Sequence, residues 1–163
     1  MLMQSFAKNF GLYGERAGCF SVITGSTAER DIVNSRIKQI ARPIYSNPPI
    51  HGARIVDIIL GDEELTKMWH EDLRIMSGRI AEMRAGLKQG LADLGNEHNW
   101  DHITSQIGMF AYTGLTKPMI EELRKEYAIY MTMDGRISLA GLNSHNLAYC
   151  ADAFHNVTKG KAF

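Results

Sequence analysis

The sequence predicts an α/β fold class, because short β-type segments alternate with helical patterns along its 163 residues. Three observations carry this prediction: an apolar run followed by a capped helix near the N-terminus, one very long helical stripe in the middle, and a C-terminal part in which strand and helix patterns alternate. Hydrophobic residues make up 45% of the chain, which is enough to form a packed core.

The first elements are a strand, a helix and a loop. Residues 17–24 are small and apolar, which predicts a buried strand. Ser26 and Glu29 have capping-box spacing, which predicts an amphipathic helix that ends before Pro43. Residues 42–49 contain three prolines, so we expect a rigid loop there rather than regular helix.

The middle of the chain is dominated by one long helix. After a short helix over residues 55–60, Asp62 is predicted to cap a helix over about residues 62–94, with Gly95 as its stop. Its length would be roughly 45 Å at 1.5 Å per residue. The apolar stripe comprises Leu65, Trp69, Leu73, Met76, Ile80, Met83, Leu87, Leu91 and Leu94. Such a helix is either half of a coiled coil or a bridge between two packed domains, and the interruptions at Gly86 and Gly90 favour the bridge.

The C-terminal part reads as a small two-layer α/β unit. It is predicted to contain a strand over 107–113, a helix over 118–127, two strands joined at Asp134-Gly135, and a final helix from about Ser144. We expect a domain boundary near residue 75, which gives domains 1–75 and 76–163.

Composition limits the partners and the compartment. Lys and Arg balance Asp and Glu at 18 each, so no strong electrostatic attraction to nucleic acid or to an anionic membrane is expected. The longest apolar stretches are too short to span a bilayer, which predicts a soluble, intracellular chain. Cys19 and Cys150 form no CxxC pair and are predicted to be reduced core thiols.

The first candidate for chemistry is Lys8. Phe6 and Phe10 flank it, which predicts that its ammonium group is partly buried. A lone lysine is most often a solvated surface residue, but Ser5 and Arg16 could give a phosphate group a hydroxyl donor and a guanidinium close to this lysine.

Arg42 and Arg136 are the other candidates. Arg42 precedes the proline-rich loop and Arg136 follows the Asp134-Gly135 turn, so each guanidinium is expected to be held firmly. Two such groups would suit a substrate with two carboxylates, although surface ion pairs are the commoner role of arginine. His98 and His102 have i, i+4 spacing without an HExxH glutamate, so no metal site is predicted.

Six segments, in the same order, resemble the class I, pyridoxal-phosphate-dependent aspartate aminotransferases of the eukaryotic, and especially the mitochondrial, type. They are SFAKN (5–9), GLYGER (11–16), RPIYSNPP (42–49), GARI (52–55), QIGMF (106–110) and DGRIS (134–138). The resemblance implies the C-terminal part of the fold-type-I transferase fold. Residues 1–75 would be the end of the large cofactor-binding domain and residues 76–163 the small domain, with the long helix bridging them.

The resemblance also implies roles for individual residues. Lys8 would hold pyridoxal 5′-phosphate (PLP) and act as the base at the substrate Cα, while Ser5 and Arg16 would bind the cofactor phosphate. Arg136 would bind the substrate α-carboxylate, with Phe110 packed nearby.

Three further residues are implied to serve the neighbouring subunit of a homodimer. Arg42 would bind the distal carboxylate of aspartate or glutamate, and Ser46 and Asn47 would reach toward the neighbour's cofactor phosphate. The implied partners are therefore dicarboxylic amino acids, 2-oxo acids and a second copy of the chain.

The implied activity is the reversible transfer of an amino group between L-aspartate and 2-oxoglutarate, giving oxaloacetate and L-glutamate. The implied compartment is the mitochondrial matrix, with the cytoplasm as the alternative. Because the family has a large part of the enzyme upstream of the lysine, the chain is expected to be a C-terminal portion. The alternative is a complete, catalytically inactive truncated product that acts as an interaction or dimerisation module.

Overall fold

A computed structural model describes residues 1–162. The chain divides into two compact units, one of Met1–Leu73 and one that begins at Arg74. The predicted domain identities of residues 1–75 and 76–163 stay predictions.

The first unit begins with a β-hairpin. Strands β1 (Leu2–Ser5) and β2 (Gly18–Ser21) pair antiparallel, with Ser5 opposite Gly18. The strand predicted within residues 17–24 is present, but its predicted burial is wrong, because all residues of this two-stranded sheet are exposed. Cys19 lies on β2 and is an exposed thiol rather than a core thiol, whereas Cys150 is partly buried.

Helix α1 (Thr27–Tyr45) begins as its capping residues predict. The Ser26 Oγ accepts a hydrogen bond from the backbone N–H of Glu29 at 3.1 Å, and a Glu29 carboxylate oxygen accepts one from the backbone N–H of Gly25 at 2.7 Å. These bonds satisfy N–H groups that have no partner inside the helix.

The predicted end of α1 before Pro43 is wrong, and so is the expectation that residues 42–45 form a loop. Pro43 lies inside the last turn, where the helix loses one hydrogen bond but continues. The backbone N–H of Ser46 donates to Arg42 O at 3.2 Å and closes that turn. No residue of α1 is buried, so its apolar side chains contribute nothing to the core.

Helices α2 (His51–Gly61) and α3 (Glu63–Asp93) follow. An Asp62 carboxylate oxygen accepts a hydrogen bond at 2.9 Å from a backbone N–H in the first turn of α3. The helix stops at Gly95, which has φ +69° and donates its N–H to Ala92 O at 2.9 Å. The predicted long helix with these two boundaries is confirmed, and it passes from the first unit into the second.

The second unit is mixed α/β. In chain order its elements are α4 (Asp101–Ser105), β3 (Phe110–Tyr112), α5 (Lys117–Tyr127), β4 (Arg136–Ser138), a 3₁₀ turn (Leu139–Gly141) and α6 (Leu147–Thr158). Only one of the two strands expected around Asp134-Gly135 exists, because β4 pairs antiparallel with β3 and not with the residues before the turn. The last helix begins three residues later than predicted.

The core of this unit is built by the second half of α3 with α4, α5 and α6. Its fully buried side chains include Leu87, Leu91, Ile103, Ile120, Leu123, Leu139 and Val157. Among residues 1–162, no helix has the length and apolarity needed to cross a membrane.

Candidate active site

The loop between β1 and β2 carries Lys8 in a defined conformation. The backbone N–H of Phe6 donates to Ala17 O at 3.1 Å, and that of Leu12 donates to Phe6 O at 3.3 Å. The N–H of Gly11 donates to Lys8 O at 3.1 Å, and Gly11 has φ +67°, a conformation that glycine adopts without strain. The lysine is therefore held by a short turn inside a hydrogen-bonded hairpin.

Aromatic residues attach this loop to α3. The Phe10 ring stacks on Trp69 with centroids 4.5 Å apart, and Phe6 meets Phe10 edge-on at 5.3 Å. The indole N–H of Trp69 donates to Asn9 O at 2.7 Å. Because these rings pack against each other rather than around Lys8, the lysine side chain is exposed and its predicted partial burial is wrong.

Ser5 and Arg16 line one concavity of about 300 Å³ at the end of the hairpin. The Ser5 Oγ accepts a hydrogen bond from the Ala7 N–H at 3.1 Å, which leaves its own O–H available to donate. Arg16 Nη1 donates to Tyr13 O at 2.9 Å, and the Lys8 Nζ lies 4.7 Å from the centroid of the Tyr13 ring. Tyr13 thus contacts both the lysine and the arginine.

Arg42, Ser46 and Asn47 form a second group at the end of α1. Arg42 is exposed and its Nη1 donates to the Ser46 Oγ at 3.2 Å. Ser46 has φ +64°, and Asn47 follows it in an exposed position. Within residues 1–162, no hydrogen bond, ion pair or ring contact joins this group to the loop that carries Lys8.

The β3–β4 pair brings Phe110 and Arg136 together. Arg136 lies opposite Tyr112 in the register, and Phe110 lies opposite Ser138, so Phe110 is the diagonal neighbour of Arg136 on the exposed face. The Arg136 Cζ is 5.0 Å from the centroid of the Phe110 ring, which is a cation–π distance. No hydrogen bond or ion pair occupies this guanidinium among the residues that the structure describes.

A tight turn presents Arg136. Gly135 has φ +89°, and the backbone N–H of Arg136 donates to an Asp134 carboxylate oxygen at 3.2 Å. The Thr132 hydroxyl also hydrogen-bonds to this carboxylate. This hydroxyl, with a further contribution from the Arg136 N–H, holds the pKa of Asp134 below its usual value. The predicted turn at Asp134-Gly135 is confirmed.

Sequence reasoning did not single out Arg84, which lies on α3 and is one of the few buried polar residues. Its guanidinium donates three hydrogen bonds to backbone carbonyls, in α4, in the loop after it and at the start of β3. The available signal was its position within the apolar stripe, four residues after Ile80 and three before Leu87.

The two spaced histidines contact backbone carbonyls. His98 Nε2 lies 3.1 Å from Thr158 O, and His102 Nε2 lies 3.0 Å from Thr113 O. Residues 1–162 contain no group of three or more histidine, cysteine or acidic side chains placed to hold a metal ion.

The family model described as aminotransferase class I and II matches residues 1–154. This chain belongs to the class I and II aminotransferases. It is 53% identical over 159 residues to the mitochondrial aspartate aminotransferase of Gallus gallus, and the matched residues cover 98% of this chain and 38% of that protein. It is 49% identical over 158 residues to the Arabidopsis thaliana mitochondrial aspartate aminotransferase, and the matched residues cover 97% of this chain and 37% of that protein. The family resemblance inferred from the six segments is confirmed.

Solved aminotransferase structures share its fold. The mitochondrial aspartate aminotransferase of Trypanosoma brucei matches with a TM-score of 0.92 and 49% identity, over 97% of this chain and 42% of that one. The Burkholderia pseudomallei aromatic-amino-acid aminotransferase, solved covalently bound to pyridoxal phosphate, matches with a TM-score of 0.92 and 44% identity, over 96% of this chain and 39% of that one. The cytoplasmic Saccharomyces cerevisiae aspartate aminotransferase matches with a TM-score of 0.85 and 44% identity, over 98% of this chain and 40% of that one. The predicted α/β aminotransferase fold is confirmed, and the chain spans 37–38% of the length of the two curated relatives.

Proposed function

We propose that this chain carries part of the active site of a PLP-dependent aspartate aminotransferase. The enzyme interconverts L-aspartate and 2-oxoglutarate with oxaloacetate and L-glutamate. The observation that carries the proposal is the hairpin whose connecting loop carries the exposed Lys8, and in which Ser5, at the end of β1, and Arg16, two residues before β2, line one concavity. Family membership and the names of the chicken and Arabidopsis relatives support the choice of reaction.

The residues of the hairpin fit PLP chemically. Lys8 offers an exposed primary amine that would hold the cofactor at its aldehyde carbon. The Ser5 hydroxyl and the remaining guanidinium N–H groups of Arg16 provide neutral and charged donors for a phosphate dianion. When bound, PLP supplies the electron sink that stabilises negative charge left at the substrate Cα.

The chain's own residues hold the substrate and move its proton. The Lys8 Nζ takes the proton from the substrate Cα and later returns a proton, as a positioned general base and acid. Arg136 binds the α-carboxylate through two N–H groups while the Phe110 ring restricts the guanidinium. Arg42, once the neighbouring subunit of the proposed dimer covers it, selects substrates whose side chain ends in a carboxylate, because a neutral side chain would then leave a buried guanidinium unpaired.

We also infer that the enzyme is a homodimer with shared active sites. Arg42, Ser46 and Asn47 are exposed, and within residues 1–162 no hydrogen bond, ion pair or ring contact joins them to the Lys8 loop, which supports their assignment to the neighbouring subunit's site. The mitochondrial names of the curated relatives support the mitochondrial matrix as the compartment, and the cytoplasmic yeast neighbour supplies the alternative.

The test of the proposal is cofactor labelling of Lys8. The full natural polypeptide that contains this chain is mixed with PLP, reduced with borohydride and mapped by peptide mass spectrometry. We expect one equivalent of label on Lys8, loss of that label in Lys8→Arg, and its retention in Lys38→Arg, which alters an exposed lysine of α1. Scattered, substoichiometric label over surface lysines would contradict the proposal.

A second candidate function is an interaction or dimerisation module without transaminase activity. The apolar residues exposed on α1 favour it: Ile32, Ile40 and Ile44 are each more than 60% exposed. Sedimentation equilibrium separates the two candidates when combined with the labelling experiment. A dimer that takes no label at Lys8 and transfers no amino group supports the module, whereas stoichiometric label with transamination excludes it.

A further inference from the structure

Arg84 is a buried cation whose hydrogen-bond acceptors are backbone carbonyls. Its residue is 4% exposed, and within residues 1–162 it forms no ion pair. Its Nη1 donates to Ile103 O at 2.6 Å, and its Nη2 donates to Gly108 O at 2.8 Å and to Phe110 O at 2.7 Å. One guanidinium therefore holds three backbone carbonyls, which lie in α4, in the loop after it and at the first residue of β3.

This arrangement is costly for the fold. A buried charge loses its hydration, and carbonyl dipoles compensate for that loss less well than an opposite charge does. Burial accordingly lowers the pKa of Arg84 from its usual value. The two terminal nitrogens of Arg84 reach three carbonyls from one rigid plane, whereas the three donors of a lysine ammonium radiate from a single nitrogen, which indicates a geometric role for Arg84.

The position that Arg84 fixes is that of Phe110. The carbonyl of Phe110 accepts the 2.7 Å hydrogen bond, and the ring of the same residue lies 5.0 Å from the Arg136 guanidinium. A second arginine of α3, Arg79, donates to Leu142 O at 2.7 Å and Ala140 O at 3.1 Å, just after β4. Side chains of one helix thus hold the backbone before β3 and after β4.

We propose that Arg84 is a positioning residue for substrate binding. It fixes the backbone at Phe110, so that the Phe110 ring holds the Arg136 guanidinium in the orientation that binds the α-carboxylate of an amino acid or 2-oxo acid. This inference rests on the proposed function for its ligand class, and on the contacts above for the link from Arg84 to Arg136.

The first test measures the link without any ligand. Phenylglyoxal modifies accessible guanidinium groups, and mass mapping of the full natural polypeptide gives the rate at each arginine. In Arg84→Lys, which keeps the charge but not the fork, we expect the rate at Arg136 to change by about threefold or more, because its contact with Phe110 is loosened. In the matched control Arg124→Lys, which alters an exposed arginine of α5, the rate at Arg136 stays the same.

The second test measures binding in the PLP-loaded enzyme. We expect Arg84→Lys to raise the KM for L-aspartate and the Kd for succinate about tenfold, with kcat at saturation changed less than about twofold. PLP attachment at Lys8 stays intact. If Arg84→Lys does not fold, Arg84→Gln is measured in its place, because it shortens the side chain and removes the buried charge.

The outcomes are distinguishable. An unchanged Arg136 rate, or an unchanged Kd with only a lower thermal midpoint, overturns the positioning role, because a purely structural residue reduces the amount of folded enzyme and not its affinity. A changed Arg136 rate in a protein whose wild type binds neither PLP at Lys8 nor succinate supports the link and overturns the proposed function.

Discussion

The guanidinium groups assigned to the active site share one electrostatic property: none of them pairs with a carboxylate among residues 1–162. Arg16 donates to a backbone carbonyl, Arg42 to a hydroxyl, and Arg136 lies against an aromatic ring. A neutral partner positions a cation without satisfying its charge. These residues are therefore suited to bind anionic groups, which is what a phosphorylated cofactor and dicarboxylate substrates require.

Arg42 is predicted to determine substrate choice. Arg42→Ala should raise the KM for L-aspartate roughly a hundredfold, because the loss of a charge-assisted pair to the distal carboxylate costs about 3 kcal/mol. The KM for L-alanine, which lacks that carboxylate, should change little. Steady-state kinetics of the full enzyme with both substrates check this, with Arg36→Ala as the control, since Arg36 is an exposed arginine of the same helix. An unaltered KM for L-aspartate would remove Arg42 from the substrate site.

Glycine has different roles at two positions of α3, Gly78 and Gly90. Gly78 faces open space, so a methyl group there would meet nothing within 4 Å. At Gly90, a methyl group would lie 2.9 Å from the Ala151 Cβ of α6, which is fixed to its backbone and cannot rotate away. Gly90 therefore permits the close approach of two helices, whereas Gly78 only weakens the helix.

We predict opposite effects of the same substitution at these two positions. Gly90→Ala should lower the free energy of unfolding by about 1–2 kcal/mol, because overpacking outweighs the gain in helix propensity. Gly78→Ala should raise it by about 0.5–1 kcal/mol, because propensity acts alone. Urea unfolding followed by far-UV circular dichroism compares both variants with the wild type. Equal shifts of the same sign would show that the contact between α3 and α6 does not limit packing.

At the scale of the whole molecule, the assignment of Arg42 to the neighbouring subunit has a direct consequence. If the proposed dimer has shared sites, it can be rebuilt from two inactive partners, because each site would take Lys8 from one subunit and Arg42 from the other. A mixture of Lys8→Ala and Arg42→Ala subunits should regain roughly a quarter of wild-type activity, since half of the dimers are hybrids and each hybrid has one intact site. Activity after co-refolding checks this, with each variant refolded alone as the control. No recovery in a confirmed hybrid dimer would show that Arg42 serves its own subunit.

Much of the fold and of the candidate site follows from local signals. Asp62 and Gly95 determine the ends of α3 because a helix terminus is satisfied by hydrogen bonds within a few residues. The six segments that predicted the family include those around Lys8 and Arg136, and the family model over residues 1–154 confirms that prediction. The Asp134-Gly135 turn is also local, because the positive φ of Gly135 is a property of that residue type.

Other features depend on residues that are distant in the chain, and only the tertiary structure decided them. The exposure of β2 depends on which residues pack against the hairpin. The partner of β4 is β3, where Phe110 lies opposite Ser138, and not the segment just before the Asp134-Gly135 turn. In the sequence, only its position within the apolar stripe of α3 distinguishes Arg84 from an ordinary helical arginine. Its role depends on carbonyls 19 to 26 residues away, which are brought to it only when α3 packs against the segment leading into β3. The sequence by itself determined the family and the long helix, whereas tertiary packing decided burial, strand pairing and the partners of Arg84, because these depend on residues that are distant in the chain.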